Sequence, residues 1–265
     1  MVAFVGGKGY VAPKIATAIE ADLRSLGIEP EGRSWFEPCC GGLGMSTRLA
    51  RLFGTRGVVG DKHPALIALY RAVEDGSFDP PAEATEADWY ASLTLPDSDP
   101  RKAFFGYGCS FSSMWQQRPN VERKRRWHRT QNYWCDDNPV GATRRALLRD
   151  VALLQGVTWT TCDLETGGLP DDPEVVYIDW PYEGTLGYPA VGAFNHDRGY
   201  EVLRAWARGR VVYLSEYVCR IPHVEIWSQA KGSGLAHKGS GLDKRATRVD
   251  ATRVERLFRI LPARS

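Results

Sequence analysis

Apolar runs rich in β-branched and aromatic residues recur along the chain, separated by stretches with helical spacing. Val2–Val5 reads as a short strand broken by Gly6, Gly7 and Gly9. From Ala12 to Leu26 the apolar positions Ile15, Ala18, Ile19 and Leu23 fall on one helical face, with Pro13 suited to the first turn. Strands follow at Ser34–Glu37, Gly57–Asp61, Val157–Cys162, Val175–Ile178, Arg210–Tyr217 and His223–Trp227, with a final edge strand at Arg253–Leu261. Helices are expected at Ser46–Phe53, Ala65–Val73, Thr143–Gln155 and Asp197–Gly209. Strands alternating with helices predict an α/β fold, with a mostly parallel central sheet and helices on both faces. Between Glu74 and Thr143 the alternation lapses into proline-rich turns, aromatic residues and charge, so 74–143 reads as an insertion into a domain built from 1–73 and 144–265.

Chemistry collects where the strands end, which is where open α/β sheets bind ligands. Val175–Ile178 empties into Asp179-Trp180-Pro181-Tyr182. Trp35-Phe36-Glu37 runs into Pro38-Cys39-Cys40-Gly41-Gly42-Leu43-Gly44, a glycine turn that lets backbone approach a ligand or simply joins strand to helix. It is not a GxGxxG fingerprint, so a dinucleotide site has little support. Asp61, with Lys62 beside it, ends the next strand about twenty residues beyond the glycine turn, where a ribose-binding carboxylate falls, unless it is a surface turn residue. Gly6-Gly7-Lys8 before a helix suits an anion or is a glycine turn with a solvated lysine. Asp163-Leu164 closes another strand, with Asp163 either a ligand contact or a cap. Tyr182 is either a stacking surface or a packed side chain.

Composition narrows the classes. The 265 residues are 43% hydrophobic and 25% charged, ordinary values for a globular protein, and the net charge is only +2. Affinity for nucleic acid must therefore come from a local patch. Arg118, Arg123, Lys124, Arg125, Arg126 and Arg129, interleaved with Trp127 and followed by Tyr133 and Trp134, form one, facing only Glu122 within 118–129. A solvated surface is the plainer reading of such a run. The 6 cysteines show no CxxC pair and no metal spacing with the 5 histidines, so no metal is expected. Reduced thiols, no membrane span and no leader lead to the expectation of a cytoplasmic protein, monomeric or weakly dimeric. Lys231-Gly232-Ser233-Gly234-Leu235 recurs at Lys238–Leu242, a mobile basic loop or a linker.

In this order the motifs resemble the Dam-like, phage-type class of DNA adenine N6-methyltransferases. Asp179–Tyr182 is similar to their Asp-Pro-Pro-Tyr motif, with Trp180 in place of the first proline. The glycine turn resembles their Phe-Glu-Pro-Phe-Cys-Gly-Gly-Gly stretch, Gly6–Lys8 their opening Gly-Gly-Lys, Lys102–Trp115 their Gly-Phe-Gly-Cys-Ser-Phe segment, and Ser215-Glu216-Tyr217 a later Ser-Glu-Tyr. The resemblance implies a Rossmann-like methyltransferase fold, S-adenosylmethionine as cofactor, and double-stranded DNA as partner, of phage or restriction-modification type. It implies cofactor contacts from Gly6, Gly7, Lys8, Phe36, Glu37, Pro38, Cys39, Gly41, Gly42, Gly44, Asp61, Lys62, Asp163, Leu164 and Asp179. It assigns catalysis to Asp179, Trp180, Pro181 and Tyr182, with a flipped adenine stacked on Tyr182 and its amine held by Asp179 and the residue-180 carbonyl. It places the target-recognition lobe in 74–143. The departure at Trp180 opens an alternative: a crowded base, a different transferred group, cytosine N4 as acceptor, or DNA binding without catalysis. An RNA or small-molecule methyltransferase and a nucleotide-binding module are further competitors.

Overall fold

The computed structural model describes residues 7–128, 132–170, 172–185, 190–230 and 254–262. Val2–Val5, Gly6, Arg129 and the repeated Lys-Gly-Ser-Gly-Leu segments lie outside them. The chain alternates as expected: α1 (Ala12–Ser25), β1 (Trp35–Glu37), α2 (Ser46–Phe53), β2 (Gly57–Asp61) and α3 (Pro64–Glu74). The insertion supplies α4 (Glu86–Ser92), α5 (Pro100–Ala103), and a hairpin of β3 (Lys124–His128) and β4 (Tyr133–Asp137). Then come α6 (Pro139–Ala152), β5 (Thr158–Thr161), β6 (Val175–Ile178), α7 (His196–Trp206), β7 (Val211–Glu216), β8 (His223–Ala230) and β9 (Val254–Ile260).

Seven strands form one sheet in the order β5-β2-β1-β6-β7-β9-β8. Neighbours from β5 to β7 are parallel, while β9 runs antiparallel to both β7 and β8. This is the Rossmann-like α/β fold expected from the sequence. β9 was expected at an edge, but it pairs on both sides and β8 takes the edge. Its near-continuous burial, at Glu255, Leu257, Phe258 and Ile260, is what an interior strand requires.

Alternation along the strands divides the core in two. Trp35, Val59, Val175, Tyr177, Tyr213 and Leu257 face one side, packed with Ile15, Ile19 and Leu23 of α1 and Leu147 of α6. Phe36, Val58, Val176, Ile178, Val212, Leu214 and Phe258 face the other, under Leu203 and Trp206 of α7. Removing such a side chain from water stabilises the fold by roughly 1.5–3 kcal/mol each.

Among the described residues, segment 74–143 shares the core of the sheet domain. Trp89, Phe104, Phe105, Tyr107 and Val121 join the first cluster. Its helix α4 starts with a reciprocal cap: Asp88 N–H donates to the Thr85 hydroxyl and Thr85 N–H to the Asp88 carboxylate. Only the hairpin stands clear, and the basic run that carried no strand pattern forms its first strand.

Candidate functional site

Sequence order runs outward from β1 to β2 and β5, then returns to β6 and β7 on the other side. The reversal leaves a crevice between β1 and β6 at their carboxyl ends. A cleft of about 870 Å³, measured to its open mouth, occupies that place. It brings together Gly7, Lys8, Glu37, Pro38, Cys39, Gly41, Gly42, Gly44, Asp61, Lys62, Asp163, Leu164, Asp179 and Pro181. These come from five separate stretches of sequence singled out above. Phe36 is instead wholly buried beneath the sheet, where it packs on Trp206.

The glycine turn is shaped for close approach. Gly41 adopts φ +44°, and its N–H donates to Asp61 Oδ2 at 3.0 Å. Asp61 Oδ1 accepts from His63 N–H at 2.9 Å, so two backbone donors orient the carboxylate at the end of β2. Burial nevertheless holds its pKa up at about 6, against those hydrogen bonds. Glu37 is more extreme. It is 1% exposed, its Oε2 has no hydrogen-bond partner, and burial lifts its pKa to about 8. Asp163 combines both readings open for it. It accepts from Glu165 N–H at 3.0 Å as the cap of a short 3-10 turn, and it lines the cleft, paired with Lys62 at 2.9 Å.

Lys8 is not a solvated lysine. Its ammonium is buried between Asp179 Oδ1 at 2.8 Å and Glu255 Oε1 at 3.1 Å, and donates to the Tyr182 hydroxyl at 2.6 Å. Burial alone would lower its pKa, but the two carboxylates outweigh that and raise it. Burial in turn raises the pKa of Asp179, with Lys8 opposing. Tyr182 donates to Glu255. The Lys8 ammonium lies 4.3 Å from its ring centroid, and Tyr217 meets it edge-on at 4.6 Å. As placed, Tyr182 is a packed side chain, and the walls flanking Asp179 in the cleft include Pro181 and Phe194.

Trp180 points the other way. Its indole is 1% exposed in the second core cluster and leaves the cleft uncrowded.

Sequence reasoning missed Glu255 and His63, while Tyr107 comes from the aromatic Lys102–Trp115 segment and Val191 to Phe194 from the glycine-rich loop 183–195 that the sequence offers as a cover for the substrate. A signal existed for Glu255: it is an acid on the same strand face as Leu257, both buried. His63 stands two residues after Asp61, is buried, and packs on Trp115 with ring centroids 4.3 Å apart. Among the described residues, no group of 3 or more His, Cys, Asp or Glu side chains is arranged to hold a metal ion. No helix among them is long and apolar enough to cross a membrane.

Lys124, Arg125 and Arg126 of the basic run lie on β3 of the hairpin, with Arg118 and Arg123 on the approach to it. Trp127 and Trp134 are exposed, directly paired across the strands, with ring centroids 5.4 Å apart. Arg125 lies 5.3 Å over Trp134, and Arg118 lies 3.8 Å over Phe111. Arg123 bridges to Glu83 and Asp136, and Lys124 to Glu122. Arg126 belongs to β3 by its backbone.

No family model matches this chain, and no curated protein matches it. It is similar to a solved structure, a mutant of MtNAS in complex with S-adenosylmethionine, at 11% identity and a TM-score of 0.38. That similarity covers 96% of this chain and 64% of the other, so the chain spans under two thirds of that protein's length.

Proposed function

We propose that the chain is an S-adenosylmethionine-dependent DNA methyltransferase, acting on the N6 amine of an adenine turned out of the duplex. The charge of the cleft carries this reading. Asp61, Asp163 and Asp179 line it against Lys8 and Lys62, and Glu37, which burial keeps protonated to about pH 8 until a cationic ligand arrives, presents an Oε2 without a partner there. A dinucleotide brings a pyrophosphate, which needs cations and N–H donors. A sulfonium with an α-amino group brings positive charge, which this surplus of carboxylate suits. The residues therefore fit the cofactor: Asp61 would hold its ribose, Asp163 and Leu164 its adenine, and Glu37 with the glycine turn its methionine end.

Bound there, S-adenosylmethionine supplies a methyl carbon already activated towards displacement. The chain's own part is to present the amine. Asp179, paired with Lys8 at 2.8 Å, accepts from the amine hydrogens together with the main-chain carbonyl of Trp180. That favours the pyramidal nitrogen and its developing positive charge. Pro181 and Phe194 offer apolar walls to the base. Tyr182, in this reading, holds Lys8 and Glu255 in place. The hairpin supplies the duplex contact, with Arg118, Arg123, Lys124 and Arg125 towards phosphates and the tryptophan pair at an unstacked step. The alternative in which Trp180 crowds the base draws no support from an indole buried in the core.

The test is to incubate protein, cofactor and unmethylated DNA, then digest to nucleosides for mass spectrometry. N6-methyladenine is expected, with a loss of roughly 100-fold or more in Asp179→Ala. Product undiminished in that variant refutes the assigned role, and N4-methylcytosine alone refutes the adenine assignment.

A further inference from the structure

The Asp179–Tyr182 tetrad carries tryptophan where the motif it resembles carries proline. A proline fixes its own φ. This chain holds the same loop from the side. The Trp180 indole lies 5.1 Å from the Phe194 ring and meets Tyr200 edge-on at 5.0 Å and His196 edge-on at 5.9 Å. α7 passes over it at Gly199, where an added Cβ would stand 2.8 Å from the indole Cζ3 and 2.9 Å from Phe194 Cζ. Glycine is unfavourable within a helix, and the two rings account for one here. Trp180 Nε1 donates to Glu216 Oε2 at 3.0 Å, and Glu183 N–H donates to the same oxygen at 3.2 Å. Glu216 Oε1 accepts from Tyr217 N–H at 2.7 Å, and His196 Nε2 lies 2.7 Å from the Pro181 carbonyl oxygen. Glu216 is 1% exposed and is not among the residues lining the cleft. Residues 180, 181 and 183 are thus each fastened by a side chain outside the tetrad.

We infer that Trp180 is a positioning residue: clamped by Glu216 and seated under Gly199, it sets the backbone path from Asp179 to Glu183 and the direction of its own carbonyl. His196 fixes the next carbonyl. The consequence for catalysis rests on the function proposed above; the consequence for backbone order does not. Replacing Trp180 by proline therefore removes an anchor rather than restoring a motif.

The experiment uses the full chain and the variants Trp180→Pro, Glu216→Leu, Glu216→Gln and Gly199→Ala. Three quantities are read: amide hydrogen exchange across 180–185, cofactor Kd, and kcat for methyl transfer. In Trp180→Pro and Glu216→Leu, Glu183 N–H is expected to exchange about tenfold faster or more. Their kcat is expected to fall about tenfold or more, with cofactor Kd within about threefold of the parent. Glu216→Gln keeps one acceptor oxygen but turns an amide N–H2 on one of the three donors, and is expected to fall between the parent and Glu216→Leu in exchange and in kcat. Unchanged exchange in both disruptive variants overturns the inference. So does Trp180→Pro transferring at or above the parent rate, or a fall in kcat matched by an equal loss of cofactor affinity. Should Trp180→Pro fail to fold, Glu216→Leu decides by removing the clamp, with Gly199→Ala crowding the indole and Phe194 together as a second probe: faster exchange at Glu183 in Glu216→Leu supports the clamp, and parental exchange overturns it. A parent chain that methylates no nucleic acid sinks the proposed function, while the exchange comparison still decides the positioning.

Discussion

Glu37 is the side chain whose ionisation most affects the rest of the cleft. In the folded chain it holds its proton to about pH 8, because burial disfavours the carboxylate. An unfolded glutamate loses its proton near pH 4.3. Between those values the folded state binds more protons than the unfolded state, so stability falls as pH rises. Asp61 adds a smaller slope of the same sign, ending near its folded pKa of about 6. The Glu37 shift corresponds to roughly 5 kcal/mol at full ionisation, an upper figure. Urea unfolding of the ligand-free protein should show stability declining from about pH 5 to pH 8, with most of the slope gone in Glu37→Gln. A cationic ligand reverses the preference, so its binding should release a proton, visible in calorimetry as a buffer-dependent heat. Lys8 sits at the opposite extreme, a buried cation between two buried carboxylates. Lys8→Met leaves Asp179 and Glu255 facing each other and should cost about 3–5 kcal/mol. Adding Glu255→Gln to that variant should recover part of the loss, measurable as a non-additive double-mutant cycle.

At the scale of elements, the hairpin of β3 and β4 is built for contact rather than support. Its tryptophans are exposed, and its ion pairs are surface pairs, worth about 0–1 kcal/mol and easily exchanged for phosphates. Trp127→Ala with Trp134→Ala should therefore leave the unfolding midpoint nearly unchanged while weakening duplex binding by about 1–3 kcal/mol for each base no longer stacked. A large fall in stability with parental DNA affinity would count against this surface. The hairpin was hard to see in the sequence because Lys124–His128 has neither the alternation nor the apolar content of a half-buried strand. The motif-bearing strand ends were easier. Glu37, Asp61, Asp163 and Asp179 each close a run of β-favouring residues, and the parallel sheet sets those ends side by side. The orientation of Trp180 was not legible at all, because it depends on a glycine in α7 and a carboxylate on β7. The place of β9 was hidden too, since antiparallel insertion between β7 and β8 leaves little local trace beyond the buried Glu255.

For the whole molecule, the proposed function asks for two affinities with opposite signs of charge, one at the basic hairpin and one in a carboxylate-lined cleft, within a net charge of +2. Duplex binding through the hairpin should weaken steeply with salt. Neutralising Lys124 and Arg125 should flatten the plot of log K against log salt by about 0.9 for each phosphate left without its cation. Cofactor affinity, set inside a partly enclosed cleft, should change far less over the same range. Finding both affinities equally salt-sensitive would argue against separate sites. The Lys8–Asp179–Tyr182–Glu255 cluster adds a consequence for how the cleft comes into being. Its members stand at residues 8, 179, 182 and 255, so the whole stretch from 8 to 255 must emerge from the ribosome before the ammonium meets both of its counter-ions. A nascent chain halted before β9 is expected to leave Asp179 and Lys8 without Glu255, however complete the parallel strands around the cleft already are.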